Sequence, residues 1–231
     1  MKKMIIPLVV GATLIGTTIV FANSNQTESI TKKQQAEKIE ATLVKQLDEA
    51  KSTGEKWIRK VDNNKEVYAQ ITLNNKMTAE EIGDFAKKNN LEIKSWSYTI
   101  DIGDYTAVGV FSLKPKESMI EAEKRFIQIM KSTLNRQVDS LKKFEKDEKL
   151  SMKARNNALA KRQEIEKKLK EISNNDHIRI VYGLKVKGKA GTIENLFNKN
   201  QVHSVKQSSK EDDNTALYKS IPENWLKGAA K

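Results

Sequence analysis

Apolar and polar residues alternate along six short stretches of the chain, and this two-residue period predicts β-strands that bury one face. In the third stretch the phase slips near Ser95, which predicts a β-bulge. In the fourth, apolar residues fall on both faces, which is typical of a central strand. The fifth is predicted to end before Gly188. The six predicted strands are residues 57–61, 67–73, 91–102, 105–113, 178–186 and 202–205.

Apolar residues spaced three and four apart predict helices between these strands. Gly54 is suited to a left-handed cap that ends the first helix. Thr78 and Glu81 have the spacing of a capping box at the start of the second. Ser151 is a capping residue inside the third tract, so we predict two antiparallel helices joined near residues 146–151. A single rod of about 85 Å is the alternative. The helical tracts are residues 31–51, 78–88, 115–173 and 192–197.

The order of these elements predicts an α+β fold, with an antiparallel or mixed sheet and helices on one face. Residues 66–187 follow the strand-helix-strand-strand-helix-strand order of a ferredoxin-like split βαβ sheet. Its second helix is enlarged into a projecting helical hairpin, because the middle of that tract has few large apolar residues to bury. An N-terminal amphipathic helix precedes this sheet, and an extra C-terminal helix-strand unit follows it.

The first 22 residues have the pattern of a secretory signal. Lys2 and Lys3 precede an uncharged, mostly apolar run at residues 4–22, which ends in small residues before a polar segment. The pattern predicts export, with cleavage between Ala22 and Asn23. Because roughly 20 apolar residues span a bilayer, an uncleaved membrane anchor is the alternative. Membrane contact is expected at most through this run.

These patterns divide the chain into four segments. Residues 1–22 are the signal or anchor, and residues 23–54 are a helix or stalk. Residues 55–206 are the α+β domain, with a helical insertion at residues 116–173. Residues 207–231 are a polar tail with a small apolar patch. The chain has no cysteine, which excludes disulfides and thiolate catalysis, so an ordinary apolar core must hold the domain together.

The formal net charge is +12, from 42 Lys and Arg against 30 Asp and Glu. Outside a cell, such a charge favours contact with anionic envelope polymers. Much of the excess lies on residues 115–173, which hold 16 Lys and Arg against ten Asp and Glu. Nucleic acid is not an expected partner, because arginine is scarce and no aromatic-interleaved basic motif is present. The predicted binding surface, which is also a candidate for self-association, is Lys142, Lys143, Lys146, Lys149, Lys153, Arg155, Lys161 and Arg162.

The sequence has no constellation typical of catalysis, of a cofactor site or of a metal site. His177 and His203 are its only histidines, and nothing in their spacing brings them together. The acids Glu92, Asp101 and Asp104 are expected near one hairpin, but Asp101 and Asp104 flank its turn, where aspartate is typical. The Gly- and Lys-rich residues 183–191 lack both the Walker and the dinucleotide-binding spacing. We therefore expect no enzyme activity, no cofactor and no metal.

Together these patterns favour a non-catalytic binding module, secreted or held in the bacterial cell envelope, that contacts a protein or an anionic wall component. The element order over residues 66–187 is similar to that of exported propeptides and inhibitors of subtilisin-like proteases. This resemblance implies, as an alternative, an inhibitor or intramolecular chaperone that inserts its tail into a protease cleft. An extracellular hydrolase is the third hypothesis, and it requires converging carboxylates or paired histidines.

Overall fold

The predicted α+β class is confirmed by the computed structural model, which describes residues 32–102, 105–174 and 178–210. Within these residues, five strands form one antiparallel sheet in the order β3-β2-β4-β1-β5, accompanied by five α-helices. In chain order the elements are α1 Lys32–Ile58, β1 Glu66–Met77, α2 Ala79–Lys88, β2 Glu92–Ile102, β3 Tyr105–Ser112, α3 Met119–Lys146, α4 Met152–Asn174, β4 Val181–Lys189, α5 Ala190–Asn195, a 3-10 turn Leu196–Asn198, and β5 Val202–Ser208.

Neighbouring strands in the sheet are antiparallel, yet three connections join strands that run in the same direction. β1 and β2 lie on either side of β4, β3 and β4 on either side of β2, and β4 and β5 on either side of β1. Connections between parallel strands of one sheet are almost always right-handed. For this strand order, the rule places α2, the α3–α4 pair and α5 on the same face.

The finer prediction of a ferredoxin-like layout is not confirmed. That layout has β3 between β1 and β2, whereas β4 occupies this position and β3 lies at the edge of the sheet. The prediction of a central β3 is therefore wrong, and its Val108 is 43% exposed. The bulge predicted near Ser95 is confirmed by a shift in the pairing of β2 with β4 between Ile93 and Ser95.

One face of the sheet is apolar and packs against the helices. Trp96 of β2 stacks on Phe111 of β3, with ring centroids 4.8 Å apart, and Phe126 of α3 lies edge-on to both rings. Fully burying an aliphatic or aromatic side chain of this size contributes about 1.5–3 kcal/mol. Every described helix adds a side chain to this core, including Ile58, Ile82, Phe126, Ile165 and Ile193.

Capping boxes fix the starts of two helices. The predicted box at α2 is confirmed: the Glu81 N–H donates to Thr78 Oγ1 at 3.2 Å, and the Thr78 N–H donates to Glu81 Oε2 at 2.9 Å. A second box, formed by Ser118 and Glu121, begins α3. Both boxes satisfy amide donors that a helix leaves unpaired at its first turn.

Helix α1 is longer than predicted. It continues through Gly54 to Ile58, so the predicted strand at residues 57–61 is wrong and Trp57 lies on the helix. At Gly54 the helix meets β5, because a Cβ added there would lie 1.7 Å from the Val205 carbonyl oxygen. Glycine is needed here for a close approach of two backbones rather than for a cap. The helix therefore packs on the sheet and crosses the segment boundary predicted at residue 54.

The long helical insertion is a pair of helices, as predicted. Helix α3 ends at Lys146, and α4 begins at Met152 after a short turn. Ser151 begins the second helix by accepting a hydrogen bond at its Oγ from the Ala154 N–H, 3.2 Å away. The buried face of α3 follows a spacing of four residues and comprises Ala122, Phe126, Met130, Leu134 and Val138.

Arg125 fastens the base of this hairpin to the edge strand β3. Its Nε and Nη2 donate to the two carboxylate oxygens of Glu117 at 2.6 Å, and Nη2 also donates to the Ser112 carbonyl at 2.8 Å. The guanidinium lies over the Phe111 ring, 4.2 Å from its centroid. The hydrogen bonds from Arg125 and from the Lys114 N–H lower the pKa of Glu117 from 4.5 to about 2.

Replacing Gly54 with alanine will destabilise the protein, although alanine is the better helix former by about 1 kcal/mol. The added methyl must displace the β5 backbone, and overpacking of this kind costs about 1–3 kcal/mol. The matched control is Gly83→Ala in α2, where the Cβ would meet only the flexible Met119 side chain, at 3.1 Å. Urea denaturation followed by circular dichroism compares the two. A Gly54→Ala variant as stable as the wild type would contradict the packing of α1 on β5.

Stability will also depend on pH through Glu117. Its pKa is about 2 in the folded state against an ordinary 4.5, so the folded state holds this proton less tightly. The stabilisation is therefore present in full above about pH 4.5 and is lost as the pH falls toward 2. The free energy of unfolding of the wild type should exceed that of Glu117→Gln by about 1–2 kcal/mol at neutral pH.

Denaturation curves collected between about pH 2 and pH 7 measure this difference, which should shrink toward zero at the acid end. The control is Glu148→Gln, because Glu148 is exposed and has no bond within the described part of the chain. The free energy of unfolding of that variant should equal that of the wild type at every pH. If the free energy of unfolding of Glu117→Gln were below that of the wild type by the same amount at every pH, the charge of Glu117 would not be the cause.

Candidate functional site

The predicted basic surface surrounds the far end of the α3–α4 hairpin. Residues 140–161 contain seven Lys and Arg against three Asp and Glu, so this end is net positive. The chain turns here between α3 and α4, away from the apolar core, and five lysines are exposed. We call these five lysines the basic tip: Lys142, Lys143, Lys146, Lys149 and Lys153.

Two of the three acids beside the basic tip, Glu145 and Asp147, are engaged. Glu145 accepts hydrogen bonds from Arg162 at both carboxylate oxygens. Asp147 accepts the backbone N–H of Lys149 at 3.0 Å and so stabilises the turn. Lys142 approaches Asp139 only to 3.9 Å, with both side chains largely exposed, and such surface pairs contribute little. The third acid, Glu148, is exposed and unengaged within the described residues, so it offsets part of the charge of the five lysines and leaves the tip net positive.

Four lysine side chains of the tip are unpaired, as are other exposed lysines of the described residues such as Lys51, Lys60 and Lys87, but those of the tip lie together. Within the described ranges, Lys143, Lys146, Lys149 and Lys153 make no side-chain hydrogen bond or ion pair. Met152 lies among them at the start of α4 and is 70% exposed. The tip thus presents ammonium groups around one large apolar side chain.

Arg162 was predicted to belong to the binding surface, but it is part of the framework of the hairpin. Its Nε donates to Glu145 of α3 at 2.6 Å, and its Nη1 donates to both carboxylate oxygens of Glu166 at 2.9 Å. These hydrogen bonds raise the pKa of Arg162 above its ordinary value. The guanidinium is committed to joining the two helices and is not available to a ligand.

Arg155 and Lys161 are also less available than the tip lysines. Arg155 is half-buried, and its Nε lies buried without a hydrogen-bond partner in the described structure. Lys161 is exposed but already has an interaction within the molecule. Of the eight cations predicted for the surface, the structure therefore brings five together as an exposed group.

The weaker sequence candidates do not converge. His203 is half-buried in β5, whereas His177 lies outside the described residues. Glu92 and Asp101 stand at opposite ends of β2, about 30 Å apart along a strand of this length. Within the described residues, no group of three or more His, Asp or Glu is placed to hold a metal ion.

The Gly- and Lys-rich stretch at residues 183–191 is not a loop. Residues 183–189 belong to β4, which lies in the middle of the sheet, so the prediction that Gly188 ends the strand is wrong. A Cβ at Gly188 would lie 2.9 Å from the Leu91 side chain, which explains the glycine by packing. Backbone amides of a central strand are used in the sheet and cannot surround a phosphate.

Two adjoining surface clefts, each of about 420 Å³, lie near the end of α2. They share Lys88, Asn89 and Lys199. The first is lined by amide, ammonium and hydroxyl groups, whereas the second is also lined by Met77, Phe85, Glu81, Asp84 and Arg179. Glu81 borders one cleft, but its carboxylate is held by the capping box and by Arg179. It is therefore not placed to act as a free acid or base.

Residues 1–31 and 211–231 lie outside the described structure, and the predicted cleavage between Ala22 and Asn23 falls in the first of these ranges. Among the described helices, none combines the length and the apolar character needed to cross a membrane. Comparison of the chain with protein-family models, curated proteins and solved structures finds no match. A role for the basic tip must therefore be inferred from its charge, exposure and shape.

Proposed function

We propose that this chain is a non-catalytic binding module that acts outside the cytoplasm and contacts an anionic polymer of the cell envelope through the basic tip. The observation that carries the proposal is the contrast in charge at the end of the hairpin. Four of its lysines have no partner within the described structure, while Glu145 and Asp147 are engaged in holding the hairpin and its turn. The tip thus attracts anions from outside the molecule.

The shape of the hairpin suits this role. Val138 is the last buried residue of α3, and the helix continues eight residues further to Lys146, or about 12 Å. The tip therefore reaches a flat or extended partner before the sheet does. Arg162 clamps the two helices by hydrogen bonds just behind the tip, which reduces the freedom lost when a ligand binds.

The chemistry of the tip favours a repeating phosphate polymer over a carboxylate-bearing peptide. Lysine ammonium groups are compact point charges, whereas arginine is the residue suited to bidentate recognition of a single carboxylate. The exposed cations of the tip are all lysines, spread around the turn. A partner with many evenly spaced charges makes use of all five, and its binding would weaken as salt screens them.

Binding of inorganic polyphosphate, measured by titration calorimetry, tests the proposal. Changing Lys142, Lys146 and Lys149 together to glutamine removes three charges from the tip. At about 1 kcal/mol for each lysine near an anionic surface, affinity should fall on the order of a hundredfold at low salt. Raising the salt concentration should weaken the wild type more than the variant, because the wild type uses more charges.

The matched control changes three exposed lysines outside the hairpin, Lys51, Lys60 and Lys87, to glutamine and leaves the same net charge. It should bind polyphosphate nearly as well as the wild type. Equal weakening in both triple variants would mean that net charge alone drives binding, and the tip would lose its assigned role. Binding to anionic vesicles but not to polyphosphate would point to a lipid headgroup in place of a polymer.

Export is the second part of the proposal, and it rests on the basic and apolar pattern of residues 1–22. Fractionation of the native cells should recover the chain outside the cytoplasm. Intact-mass analysis should then find a chain that starts at Asn23 if the signal is cleaved, or at Met1 if it remains as an anchor. A chain recovered from the cytosol would contradict export with either outcome of processing.

A further inference from the structure

The second face of the sheet is polar and carries a row of small residues that crosses four strands. Ser97 of β2 pairs with Gly183 of β4, Gly183 pairs with Thr72 of β1, and Thr72 pairs with Ser204 of β5. Because paired residues on one face lie side by side, these four positions form a shallow groove at right angles to the strands. We call it the small-residue groove.

The polar face is covered rather than open to solvent. Every described helix contributes to the apolar core on the opposite face. Nevertheless, the polar-face residues Thr72, Ser97, Thr99, Lys185 and Ser204 are each at most 5% exposed. Lysine is almost never buried to this extent on an open sheet face. The polar face is therefore packed against further polypeptide of this chain rather than open to solvent.

The end of the described chain lies on this face. The carbonyl of Lys210 accepts a hydrogen bond from Nζ of Lys185 at 3.0 Å. Strand β5 ends at Ser208, and two residues later the backbone lies within reach of the side chain of a β4 residue, two strands away in the sheet. Two strand spacings are about 10 Å. This direction leads the following residues across the sheet, toward the small-residue groove.

The 21 residues that follow Lys210 are long enough to cover the face. They would extend about 31 Å as a helix and further if extended, against about 19 Å across five strands. Their charges also match, because Glu211, Asp212 and Asp213 follow directly where the polar face carries lysines at 185, 187 and 206. Further along, the segment holds Ile221, Trp225 and Leu226, which gain from burial.

The leader at residues 1–31 suits this face less well. Its first charged residues, Lys2 and Lys3, would repel Lys185 and Lys206 rather than pair with them. Its long uncharged run would bury apolar surface against hydroxyl groups. We therefore propose that residues 211–231 dock on the polar face, across the small-residue groove, as an intramolecular strap. The sheet then has two working faces: one holds the helices, and the other is a peptide-binding surface occupied by the chain's own C-terminal segment.

Thiol labelling of the full chain tests this docking, because the protein has no cysteine of its own. Ser97→Cys places one thiol in the groove, and Ser140→Cys places one on the exposed surface of α3. Reaction with an aromatic disulfide reagent should be at least about tenfold slower at position 97 than at position 140, because a covered site reacts only on local opening. Changing Trp225 and Leu226 to aspartate should then speed labelling at position 97 by about tenfold or more, without affecting position 140.

A second tail variant, Asp212→Lys with Asp213→Lys, changes only charge. It keeps the test valid if the variant with aspartate at positions 225 and 226 fails to fold. It should also speed labelling at position 97, and circular dichroism should show an unchanged fold. The matched leader variant, Leu8→Asp with Leu14→Asp, should leave the rate at position 97 unchanged. Faster labelling in the leader variant alone would identify the leader as the cover. Protection that persists in both tail variants, or that depends on protein concentration as for a second copy, would overturn the docking of the C-terminal segment.

Discussion

The handedness of chain connections is the constraint on which this structure depends. The sheet alternates strand directions, so each connection between strands of equal direction must pass over one intervening strand. Three such connections occur, and right-handedness directs all of them to one face. The apolar residues of β1, β2 and β4 are therefore needed on that face only, and the other face is left to hydroxyls and lysines. The division of the molecule into a packed side and a polar side follows from this constraint.

The helical hairpin is the connection that exceeds what the topology requires. A crossover between parallel strands can be made with little more than ten residues, whereas α3 and α4 together contain 51. The excess cannot rest on the sheet, so the hairpin supplies its own packing through Leu134, Val138 and Ile165 and its own ion pairs through Arg162. Past these contacts large apolar side chains are few, among them the half-buried Leu141, Phe144 and Leu150, and the composition changes to lysine.

Local chemistry was readable from the sequence, but tertiary partners were not. The capping box at Thr78 and the restart at Ser151 involve atoms within three residues, and both predictions are confirmed. Gly54 could not be interpreted in the same way, because a helix cap and a close backbone approach both require glycine, and only the position of β5 distinguishes them. The predicted central position of β3 failed for a related reason: alternation of apolar residues does not specify strand order.

The same limit applies to the cations of the predicted binding surface. Arg162 has Glu166 four residues later, which was visible as a helical pair, but its partner Glu145 comes from the opposite helix. Only the fold could show that the guanidinium is used twice. Two lysines of the sheet are also paired by the fold. Lys185 donates to the Lys210 carbonyl, and Lys187 donates to the Glu66 carboxylate. A net charge of +12 therefore does not locate a binding site by itself. What the fold adds is which cations stay exposed and together, and the end of the hairpin holds five such lysines around Glu145 and Asp147, two acids that the fold engages.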